Sequence, residues 1–164
     1  MGNVERRFKK RREMLEAAGW QDSFRELQAE AGYLVNRICP TRAIPIDDCF
    51  ASFKAIITKS VIDTNSDAFE VVSEAVLNLP AIVQRMKAFP KSSSRMNRTL
   101  QNAEIKAVEA FHWALMYGVN WAQDPDKRGL EAAAFLRFTQ AYKRWEVSTK
   151  MHHAFEDELS RLGS

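Results

Sequence analysis

The chain has 164 residues, 46% of them hydrophobic and 27% charged, a composition that excludes wholesale disorder and fits a single domain over residues 1–164. Lys and Arg number 24 against 21 Asp and Glu, so the formal net charge of +3 points by itself to no partner. No stretch approaches the roughly 20 apolar residues of a membrane span, no secretory leader is legible, and two cysteines make no disulfide framework; the expectation is a cytoplasmic protein without a membrane partner.

Apolar residues recur at helical spacing from end to end. A first helix over residues 1–18 would put Val4, Phe8, Arg11, Leu15 and Ala18 on one stripe, with Gly19 as its stop, and would form a basic N-terminal arm. A second, from about Asp22 to Ile38, buries Phe24, Leu27, Ala31, Leu34, Val35 and Ile38; Ser23-Phe24-Arg25-Glu26 reads as its capping box, and Cys39-Pro40 ends it. Cys39 and Cys49 read as small core residues, with a loop-closing disulfide as the other reading.

After a loop over 41–46, Asp47 or Asp48 is placed to cap a helix carrying Phe50, Phe53, Ile57 and Val61. Ser66 or Asp67 caps the next, which runs through Phe69, Val72, Val76 and Leu79. Pro80 either kinks it or opens another that carries Ile82, Val83, Met86 and Phe89. Residues 90–94 form an exposed Ser-rich linker, and Ser93 or Ser94 caps a long helix to about Ala122. Its core face would hold Leu100, Ala107, Phe111, Ala114, Tyr117 and Trp121. Asp124-Pro125-Asp126 is a break. A final helix over about 127–162 carries the seam Phe135, Phe138, Tyr142, Trp145, Thr149 and His152 at alternating three- and four-residue steps. The fold class expected is all-α: a single-domain helical bundle of five to seven helices with a long C-terminal helix.

Charge is distributed unevenly along this frame. Six cations, Arg6, Arg7, Lys9, Lys10, Arg11 and Arg12, fall within seven positions, only partly offset by Glu5, Glu13 and Glu16. Between Glu74 and Glu104 no acidic residue occurs, while Arg85, Lys87, Lys91, Arg95 and Arg98 do. Clustered cations attract polyanions, and nucleic acid is the commonest of these. If the second cluster were instead a paired loop, its partners would be sought in Glu70, Glu74 or Asp47.

The remaining chemistry is sparse. Glu109-Ala110-Phe111-His112 has the Glu-x-x-His spacing of di-iron bundles, but a second such element is missing. His152 and His153 precede Glu156 and Asp157. Adjacent helical residues point about 100° apart, which argues against both histidines joining one metal. The expectation is no metal, no cofactor, two partly buried histidines (His112 and His152) and an exposed His153. Neither a nucleophile elbow nor a glycine-rich phosphate loop is present, so no enzymatic activity is expected. Trp121, at a helix end, and Trp145, in the terminal seam, are the interface candidates.

The functional expectation is a non-enzymatic nucleic-acid-binding subunit of a larger nucleoprotein assembly. The two basic clusters would contact phosphates with little sequence specificity, on DNA or RNA, and other protein subunits or self-association would complete the assembly. The alternative is a protein-interaction adaptor, inhibitor or assembly factor whose basic patches meet an acidic protein surface.

Overall fold

Five α-helices make up most of the computed structural model, which describes residues 24–41, 43–123 and 133–162. They are α1 (residues 24–38), α2 (Phe50–Ile62), α3 (Asp67–Ala88), α4 (Arg95–Gln123) and α5 (Ala133–Leu162), and no strand occurs among the described residues. The basic arm over residues 1–18, Ser23 of the capping box, and the Asp124-Pro125-Asp126 break lie outside the described residues.

The helix starts follow local chemistry. Ser66 has extended backbone angles and its hydroxyl accepts from the Phe69 N–H at 3.2 Å, which satisfies one of the orphan donors of α3. Ser94 does the same for α4, accepting from Asn97 N–H at 3.4 Å. The start of α2 departs from expectation. Asp47 and Asp48 sit in a 3-10 turn, Ile46–Asp48, and Cys49 occupies the position before the helix with no side-chain cap. The turn consumes the residues that would otherwise cap. Asp47 is engaged instead by Lys150 of α5 at 2.6 Å, and that hydrogen bond holds its carboxyl below the usual range. Pro80 lies inside α3, which runs on through it to Ala88.

The core is one cluster drawn from all five helices. Contacts along α4 and α5 run in opposite directions: Trp121 meets Phe135, Phe111 meets Trp145, and Glu104 meets His152. These two long helices are therefore an antiparallel pair. Helix α2 lays Phe50 and Phe53 across them, against Phe138, Tyr142, Phe111 and Trp145, with ring centroids 4.8–6.4 Å apart. Edge-on and tilted rings at such distances add to the burial of their area. Helix α1 packs antiparallel to α3, where Arg37 reaches Glu74 and Glu30 reaches Arg85. The Tyr142 hydroxyl donates to the Ile46 carbonyl at 3.0 Å, fastening the 3-10 turn to α5.

Cys39 and Cys49 are both buried and free. Burial, the largest cause in each case, pushes both thiols up. Among the described residues, no helix is long and apolar enough to cross a membrane.

Candidate nucleic-acid interface

Arg6, Arg7, Lys9, Lys10, Arg11 and Arg12 lie outside the described residues. The second cluster divides in two. Arg85 stands 3.5 Å from Glu30, and Lys87 is paired with Glu109, so these two cations knit α3 to α1 and α4. Lys91, Arg95 and Arg98 are exposed and form no ion pair with any described residue. Two of the acids that could neutralise them are engaged elsewhere: Glu74 by Arg37 at 2.5 Å and Asp47 by Lys150.

Arg95 and Arg98 occupy the first turn of α4, which contains no acidic residue. A helix N-terminus carries partial positive charge, so two arginines there reinforce the local field rather than cancel it. From that turn a stripe continues down the same face at three- and four-residue steps: Arg95, Arg98, Asn102, Lys106, Glu109, Trp113 and Tyr117. All are exposed except Glu109, which is half-buried beside Lys87. At 1.5 Å per residue the stripe is about 33 Å long.

Its lower half opens into a groove of about 930 Å³ between α4 and α5. Lys106, Trp113 and Tyr117 form one wall, and Gln140, Lys143 and Arg144 contribute the other. Trp113 is 53% exposed, and its ring lies 6.2 Å from that of Tyr117, tilted by 37°. Large aromatic surface left in water is unfavourable unless something covers it. Three cations and one carboxylate, Glu109, line the groove, and that carboxylate is already paired with Lys87. Lys106, Lys143 and Arg144 make no ion pair with any described residue.

Several sequence expectations change at this site. Trp121 and Trp145 are 6% and 2% exposed, packed among Phe135, Phe138 and Phe53, so neither offers a free surface; among the described residues the exposed tryptophan is Trp113. Position 118 is the reason Tyr117 leaves the core: α4 presents Gly118 there to Ile57 and Phe138, and its neighbour turns outward. Lys106, Trp113, Lys143 and Arg144 are functional candidates that the charge runs alone do not reveal. For Lys106 and Trp113 the signal is the regular stripe from Arg95 to Tyr117, which becomes visible when the outer face of α4 is traced instead of the inner one; Lys143 and Arg144, on α5, carry no such local signal.

His112 is half-buried, and loss of hydration, only partly opposed by Glu109, lowers its pKa so that the neutral ring is favoured. Glu109, the carboxylate of the Glu-x-x-His spacing, is paired with Lys87. His153 is half-buried rather than exposed. Comparison of the chain with models of known protein families, with curated protein sequences and with solved structures returned no match.

Proposed function

We propose that this protein binds single-stranded nucleic acid along the outer face of α4, without catalysis and with little sequence specificity. The observation that carries the reading is the α4–α5 groove, where exposed Trp113 and Tyr117 stand among Lys106, Lys143 and Arg144. Cations track a phosphate backbone, and aromatic faces accept unpaired bases of any identity. Arg95, Arg98 and Lys91 extend the same positive face for several further nucleotides. Bases stacked inside a duplex have no face to offer Trp113, which favours the single strand over the double helix. The role is architectural, within a larger nucleoprotein assembly.

The test is fluorescence anisotropy with labelled single- and double-stranded DNA and RNA over a salt series. Single strands are expected to bind more tightly than duplex, with affinity falling steeply as salt rises. Trp113→Ala is expected to weaken single-strand binding about thirty-fold, near the middle of the range for one stacked base. Lys143→Glu/Arg144→Glu is expected to weaken it further and to flatten the salt dependence. Absence of binding at low salt would overturn the proposal and turn attention to an acidic protein partner. Binding indifferent to Trp113→Ala would remove the groove from it.

A further inference from the structure

We infer that the C-terminal half of α5 holds a zinc-class transition-metal ion between His152, His153 and Glu156. The three side chains offer two imidazole nitrogens and a carboxylate oxygen, all lying within 4.8 Å of one another. They face a cavity of about 300 Å³ at the junction of α1, α4 and α5. Side-chain rotation brings the two neighbouring rings together, with centroids 6.0 Å apart, despite the roughly 100° between their positions on the helix.

The two nitrogens of His152 have different surroundings. Nδ1 stands 3.2 Å from Glu156 Oε1, one turn along the same helix. Two ligand atoms each about 2.1 Å from a tetrahedral ion lie about 3.4 Å apart, so this separation already matches one edge of a zinc coordination shell. Nε2 faces the other way, 2.7 Å from Glu104 Oε2 on α4. Glu104 is in turn held by the side-chain amide of Gln28 on α1. A carboxylate behind a metal-binding histidine fixes the ring and raises its basicity, and Glu104 stands in that position. The site therefore has three ligands from α5, one supporting carboxylate from α4 and a brace from α1.

Donor chemistry selects the ion. Two imidazoles and one carboxylate suit Zn²⁺, Co²⁺ or Ni²⁺, whereas Mg²⁺ and Ca²⁺ prefer all-oxygen shells. Three protein ligands leave a fourth position for water or for a partner's side chain. Binding would join α5 to the α1–α4 pair beyond the point where the aromatic core ends at Trp145.

The competing occupant is a proton: an imidazolium held between Glu104 and Glu156. Titration of the chelator-treated full chain with Co²⁺ by visible absorption, and with Zn²⁺ by calorimetry, separates the two. One ion per chain is expected, with the intense visible absorption of four-coordinate Co²⁺, abolished on adding Zn²⁺. His153→Ala and Glu156→Gln should each remove that spectrum. Both positions are half-buried at the helix surface, and circular dichroism would confirm that the variants fold. Glu104→Gln should weaken binding about 10–100-fold while leaving the spectrum at saturation four-coordinate, since the carboxylate acts behind the ligand. His112→Ala, on α4 and outside the cluster, should change nothing. Failure to reach one-to-one saturation, or unchanged affinity in both His153→Ala and Glu156→Gln, would overturn the inference and leave the proton as occupant.

Discussion

Two glycines in helices show how far a single position is decided by what surrounds it. Gly118 sits where α4 passes α2 and α5. A Cβ built there would lie 2.6 Å from Ile57 Cδ1 and 2.9 Å from Phe138 Cε1, closer than real side-chain carbons come. Ile57 and Phe138 are both fully buried, so neither has space to retreat into. Gly32, in α1, has only Asn36 Nδ2 nearby, at 4.0 Å, and is otherwise open. Alanine favours a helix interior over glycine by roughly 0.5–1 kcal/mol, and this gain applies at both positions. Overpacking a filled core costs about 1–3 kcal/mol and applies only at Gly118. Gly32→Ala is therefore expected to raise stability, and Gly118→Ala to lie about 1–3 kcal/mol below it in urea denaturation. Equal midpoints and slopes for the two variants would mean that α4 does not approach α2 and α5 this closely.

At the level of the helix, α4 is two-sided, and only one side is legible in the sequence. Its inner residues Ala107, Phe111, Ala114 and Trp121 follow the helical period, and the structure buries them all. The seam of α5 from Phe135 to Thr149 is equally plain, because large aromatics at three- and four-residue steps have few other uses. The site is less legible because the sequence shows charge runs and not neighbours. Arg85 and Lys87 look like Arg95 and Arg98 until α1 and α4 bring Glu30 and Glu109 beside the first two. Lys143 and Arg144 join Trp113 only through the antiparallel pairing of α4 with α5, which no local pattern specifies. Arg95 and Arg98 also carry a stability consequence. Cations in a first turn oppose the helix dipole, and acids there favour it by about 0.3–1 kcal/mol each. Arg95→Glu/Arg98→Glu should accordingly raise the denaturation midpoint modestly while weakening nucleic-acid binding. A residue kept for folding would show the two effects moving together. Loss of stability in that double variant would assign the arginines a structural role instead.

For the whole molecule the question is how the two groups of cations share the work. Buried core among the described residues begins at Phe24 and draws on every helix through α5, and residues 1–12 lie outside the described residues. Those residues nonetheless carry six cations, Arg6 to Arg12, as many as Lys91, Arg95, Arg98, Lys106, Lys143 and Arg144 supply together. On a single strand, each phosphate neutralised by a cation adds about 0.7 to the slope of log affinity against log salt concentration. If all six cations of the arm meet phosphates, their removal flattens that slope by about 4. Deleting residues 1–12 is expected to leave the thermal midpoint unchanged and to reduce the slope by part or all of that amount. The residual slope then measures the share of α4 and α5, and it should fall again in Lys143→Glu/Arg144→Glu. The Trp113→Ala variant gives the complementary reading, because stacking releases no counterions: affinity drops and the slope stays. A truncation that lowers the midpoint would instead make residues 1–12 part of the folded core. A truncation that abolishes binding outright would make the arm the principal binding element and reduce the groove to a secondary one.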